Sequence, residues 1–198
     1  MNTKKGVNKV VFAVHVLLVV YCILCCNYTV IMGTGGGGQQ VPAIVAMAAL
    51  CSTLYYMFSG YKKSAAKSYK LMMILCGAVS LTCLFPHTYN SVVLNESTFA
   101  AAICSMGYAV GFGLYLMLAF VPDLGKTKSM IILAVIFCAY LSVLIFSIVN
   151  QPGVMISDSG TRYDSMRIMR HTTTTVLAAN AAVCTYFKYE DKSARGSK

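Results

Sequence analysis

Charge is what this chain has least of. Only 11% of its 198 residues are charged, against roughly 25% in a soluble globular domain, while 58% are hydrophobic and the mean hydropathy is +0.68. That shortage excludes a water-soluble monomer. Acidic residues are the scarcer sign, six against sixteen Lys and Arg, for a net charge of +10. An excess of this size elsewhere signals nucleic acid. Here the basic residues fall in short clusters between apolar runs, where they act as orientation signals, so nucleic acid is not expected as a partner.

Proline is also scarce. None of Pro42, Pro86, Pro122 and Pro152 falls in the middle of an apolar run, so the broken helices that build many transporter ion sites are not signalled. None of the nine cysteines lies in a polar loop, which argues against a disulfide framework and for small packing residues. Cys22, Cys25 and Cys26 do share a helical face. That spacing suits thiol redox chemistry or a metal, but their lipid-embedded setting favours packing.

The motifs of phosphate and metal chemistry are missing too. The four-glycine link at 35–38 has no Lys-Ser/Thr after it, and Gly125-Lys126-Thr127 lacks its partner glycine, because position 120 is Phe120. No His-x-x-Glu or His-x-x-x-His spacing occurs. Paired carboxylates or a Ser/His dyad at one depth are likewise missing, so no catalytic residue, metal or cofactor is expected. Glu96, just before an apolar run, reads as helix-start chemistry.

What the chain has instead is apolar runs of membrane-spanning length, at roughly 20 residues per span. They predict an all-α, polytopic integral membrane protein: one domain over 1–198, a compact bundle of six transmembrane helices at 10–32, 41–59, 69–86, 98–121, 129–149 and 165–187, and a frayed polar tail at 188–198. The first run is too long for a signal-peptide core and is read as a retained helix. Direction follows from the basic hairpin carrying Lys62, Lys63, Lys67 and Lys70, which belongs on the cytoplasmic side. Six spans then put both termini in the cytoplasm. Thirteen of the sixteen basic residues share that side, leaving Arg162, Arg167 and Arg170 outside. A bacterial plasma membrane is the expected setting, with the lipid bilayer as the obligatory partner.

Two features inside the membrane point beyond topology. The fourth run carries Gly107 and Gly111, and, offset from them, Ser105, Ala109 and Gly113. Small residues four apart let helix backbones approach closely, which predicts this helix at the centre of the bundle. The sixth run carries a polar stripe, because Arg170, Thr173 and Asn180 return to nearly one face at offsets of three and seven. Arg167 and His171 flank that stripe. On the first run, His15 lies at a depth similar to Asn180, so the two are expected to face inward and hydrogen-bond, directly or through water.

The leading expectation is a small-solute binding or transport protein, or a transporter subunit. Its outward-facing cavity would lie among helices one, four and six, lined by Arg170, Thr173, Asn180, His15 and Tyr108, with Arg170 or Arg167 meeting an anionic group. The plainer reading of the same stripe is threonines bonding back to their own helix and arginines snorkelling to headgroups. A second expectation is a non-catalytic assembly protein, a homo-oligomer or partner subunit packing through Gly107 and Gly111. A membrane enzyme comes third.

Overall fold

The computed structural model describes residues 3–32, 37–59, 65–93, 98–121, 124–149 and 158–196, with side chains at 10, 13–27, 30–31, 40–57, 67–84, 102–121, 124–149 and 168–189. These residues form six helices: α1 Thr3–Met32, α2 Gly37–Ser59, α3 Ala65–Val93, α4 Thr98–Phe120, α5 Gly125–Val149 and α6 Asp158–Gly196.

The periodicity of burial shows how they pack. On α5 the buried positions are Ser129, Leu133, Ile136, Tyr140, Val143 and Ser147, alternating steps of four and three. The same rhythm runs through Cys104, Tyr108, Gly111, Tyr115 and Leu118 on α4, and through His15, Val19, Cys22 and Cys26 on α1. A seam of this spacing suits near-parallel, left-handed packing.

The surface inverts the usual arrangement. Leu17, Leu24, Ile31, Leu71, Met106, Ile131 and Ile145 are exposed, whereas His15, Thr53, Ser80, His171 and Asn180 are buried. An apolar exterior around a partly polar interior is stable only where the outside is hydrocarbon. Among the described residues, four helices are long and apolar enough to cross a membrane, through Gln40–Met57, Lys67–Leu84, Ala102–Phe120 and Gly125–Val149. Among the described residues the apolar part of α1 is the shorter Ala13–Asn27, and α6 does not meet the same measure.

Several boundaries differ from the sequence expectation. Helix α1 begins at Thr3, and α6 runs from Asp158 to Gly196, so 188–196 is helical rather than frayed. The four-residue spacing of Asp191 and Arg195 is one that supports a helix. Helix α3 continues through Pro86 to Val93, although a proline there removes one backbone donor. Pro42, expected in a first turn, is the sixth residue of α2. Between α4 and α5, Val121 N–H donates to Met117 O at 3.0 Å and Gly125 takes φ 74°, a left-handed conformation that glycine adopts without steric cost.

Among the described residues the centre of the bundle is α6, whose backbone packs against α1, α2, α3 and α5, whereas the backbone of α4 approaches α3 and α5 and reaches α6 through the Tyr108 side chain. The expectation of a central α4 is therefore corrected. Its glycines serve one neighbour. A Cβ at Gly107 would lie 2.7 Å from Val143 Cγ2, and one at Gly111 only 2.6 Å from Tyr140 Cζ, both on α5. Helix α6 instead buries Thr173, Thr174, Ala178, Ala181, Cys184 and Thr185 around much of its circumference, and small side chains on several sides admit several neighbours.

Candidate functional site

One end of the bundle collects basic and aromatic residues. The Lys188 ammonium sits 3.5 Å from the centroid of the Tyr69 ring, Lys126 is 4.2 Å from that of Tyr186, and Lys70 is 4.3 Å from that of Phe120. These cation–π contacts tie the ends of α3, α4, α5 and α6 together. Lys67 and Lys70 are exposed there, as orientation residues must be. Lys62 and Lys63 lie outside the described residues.

Toward the opposite end is a cleft. Its walls are Cys26 of α1, Pro42, Ala43 and Ala46 of α2, Val79 and Cys83 of α3, and Met169, Arg170, Thr173 and Thr174 of α6. The small residues of α2 leave the space, and α6 supplies the polar groups. The open space of the cleft, counted out past its mouth, is about 290 Å³, while its interior has room for about one water molecule. Arg170 is 8% exposed. It lines the cleft together with Cys83, Thr173 and Thr174. Thr173 and Cys26 of α1 line the cleft together.

Behind the cleft, side-chain hydroxyls bridge α4 to α6 and α5 to α3. Tyr108 OH lies 2.5 Å from His171 Nδ1 and 3.2 Å from Thr174 Oγ1, and its ring stacks on the imidazole at 5.8 Å. Thr174 and Thr175 both donate back to the His171 carbonyl, at 2.9 and 2.8 Å, so the plainer reading of the threonine run holds for these two. Thr173 instead lines the cleft. Tyr140 OH is hydrogen-bonded to Ser80 Oγ, joining α5 to α3.

The anticipated residues are thus brought together only in part. Arg170 and Thr173 line the cleft; Tyr108 and His171 stand behind it. His15 and Asn180 are each 2% exposed, but neither lines the cleft. They do not bond to one another: both ring nitrogens of His15 and Nδ2 of Asn180 make no hydrogen bond. The depth argument fixes height, while rotation of each helix is decided by all its neighbours. The side chain of Arg167 and the whole of Glu96 lie outside the described residues. Gly113 is exposed with nothing within 4 Å of an added Cβ, so it is not on the packing face, and Gly107 and Gly111 are already covered by α5.

Sequence reasoning missed α2 and α3 as cleft walls, along with Cys26, Cys83, Thr174, Ser80 and Tyr140. Cys26 was detectable as the last member of the four-three series from His15. Nothing in the sequence marked Tyr140 apart from its depth. Among the described residues no group of three His, Cys, Asp or Glu side chains is placed to hold a metal ion. No known protein family, curated protein or solved structure matches this chain.

Proposed function

We propose that the chain crosses the membrane six times, with both ends on the side of the basic links, and binds a small anionic solute in the cleft for transport, alone or as a transporter subunit. The observation that carries this reading is Arg170, a cation on the wall of a cleft beside the Thr173 and Thr174 hydroxyls. A guanidinium offers a planar fork suited to carboxylate or phosphate.

Two further features support it. The low hydropathy of α6 is no bar to crossing, since four neighbouring helices screen its polar face. Among the described residues the backbone of α1 packs against α2 and α6 only, which makes it the wall best able to part. Parting is needed, because the innermost space of the cleft has room for about one water molecule. The basic residues of the α2–α3 and α4–α5 links support a cytoplasmic location for that end. A bacterial plasma membrane is the host bilayer proposed with this topology.

The test is native mass spectrometry of protein purified in mild detergent. A small anion should be retained by the wild type and by Lys67→Ala, and lost from Arg170→Ala. Retention of the same ligand by Arg170→Ala would refute the site. So would a wild type that carries no ligand and gains no thermal stability from any small carboxylate or phosphate.

A further inference from the structure

The basic end of the bundle carries more than a scatter of lysines. Two of them are held in place across helix pairs: Lys70 of α3 sits 4.3 Å from the centroid of the Phe120 ring on α4, and Lys126 of α5 sits 4.2 Å from that of Tyr186 on α6. Both rings reach the outside, with Phe120 58% and Tyr186 41% exposed, and both lysines are exposed. The pairs therefore stand on the perimeter, at the ends of the apolar stretches Lys67–Leu84, Ala102–Phe120 and Gly125–Val149. Lys67 and Lys128 are exposed at the same end. Among the described residues neither lies over an aromatic ring.

Topology accounts for lysines at this end, but it does not require that they be pinned. An ammonium held against a ring face gives up part of the freedom of a long side chain, and a group already ordered loses less when it binds a ligand. Lysine has three N–H donors, and the ring face takes one side of the ammonium. The other side is set to meet an anion. None of the described side chains is acidic, so no carboxylate among them neutralises this charge. The rings themselves suit the boundary between headgroups and acyl chains, where aromatic side chains concentrate. Further into the bundle the perimeter is apolar, with Met117 exposed one turn from Phe120 and Ile131 exposed on α5. An anionic phospholipid supplies both halves, a phosphate for the ammonium and a chain for the apolar surface beside it. In a zwitterionic lipid the headgroup cation offsets the phosphate.

We propose that the Lys70–Phe120 and Lys126–Tyr186 pairs are two binding sites for anionic phospholipid, each taking one headgroup phosphate at its ammonium. These sites need the bundle to lie in a membrane but make no use of the cleft, which is toward the opposite end. They stand or fall apart from the solute reading.

The experiment uses the full chain in mild detergent, with phosphatidylglycerol or phosphatidylcholine of the same acyl chains added and bound lipid counted by native mass spectrometry. Phosphatidylglycerol should be held about fivefold or more tightly than phosphatidylcholine, the order expected of one lysine at an anionic surface. Lys70→Gln and Lys126→Gln should each weaken one site by about fivefold, and the two together should abolish the preference. Phe120→Leu and Tyr186→Leu should act in the same direction through loss of the ring, whereas Tyr186→Phe should bind as wild type. Lys67→Gln and Lys128→Gln should stay near the wild-type value. Arg170→Ala should keep its lipid whatever becomes of the small anion. The substituted lysines and rings are exposed, and thermal unfolding without added lipid checks that each variant keeps the wild-type fold. Equal retention of the two lipids would overturn the proposal. So would losses in Lys67→Gln and Lys128→Gln as large as those in Lys70→Gln and Lys126→Gln, the mark of diffuse charge. Displacement of the lipid by glycerol phosphate at equal concentration, the mark of a site for free phosphate, would do the same.

Discussion

Adding one methyl group at Gly111 tests the packing of this bundle most sharply. A Cβ there would meet Tyr140 at its hydroxyl and at ring atoms 2.6 and 2.7 Å away. Tyr140 cannot yield cheaply, because its hydroxyl is held by Ser80 and its ring lies against Tyr108. Overpacking of this kind costs about 1–3 kcal/mol, and displacing the ring gives up an interhelical bond of about 0.6 kcal/mol in lipid. Alanine returns up to about 1 kcal/mol through its better helix propensity. Gly111→Ala should therefore destabilise the protein by about 1–3 kcal/mol, or roughly 2–12 °C in thermal midpoint for a chain of this size. Gly113→Ala on the same helix meets open space and should be neutral or stabilising. Thermal unfolding at one detergent composition compares the two. Removing the obstructing hydroxyl should rescue part of the loss, so Gly111→Ala and Tyr140→Phe should couple by at least about 0.5 kcal/mol. Equal stability of Gly111→Ala and wild type, equal damage at the two glycines, or strict additivity with Tyr140→Phe would each refute the reasoning.

The other predictions concern pairs that the fold makes or declines to make. His15→Leu and Asn180→Leu should act additively within about 0.5 kcal/mol in a double-mutant cycle, because neither bonds to the other; a larger coupling would restore the paired arrangement. Tyr69→Phe should cost about 0.6 kcal/mol, and no more than about 1.7, through loss of the Thr185 bond. Thr185→Ala in that background should add nothing further, as read by unfolding in mixed micelles. Gly125→Ala should lower stability, since its backbone sits at φ 74° in a region that costs other residues roughly 1–2 kcal/mol.

The polar interior of this bundle is consistent with its surroundings. In lipid the apolar side chains gain nothing by turning inward, so close contact and hydrogen bonds hold the helices together. The buried tyrosines do both, filling large volumes while joining α4 to α6 through Tyr108, α5 to α3 through Tyr140, and α3 to α6 through Tyr69. The cleft lies where α2 presents Ala43 and Ala46 instead of such large side chains.

Composition and hydropathy were sufficient for the all-helical class and for the approximate place of each helix, while whether Arg170 and Thr173 turn inward or serve headgroups and their own helix stayed open in the sequence. Class and helix position depend on local chemistry: an apolar run of about 20 residues in lipid must satisfy its backbone within itself. Which helix lies at the centre depended on tertiary structure, as did the separation of His15 from Asn180 and the walls of the cleft. Small-residue faces on α2, α4 and α6 look alike in sequence. A helix's rotation minimises the packing free energy against all its neighbours together, a sum that no single helix carries.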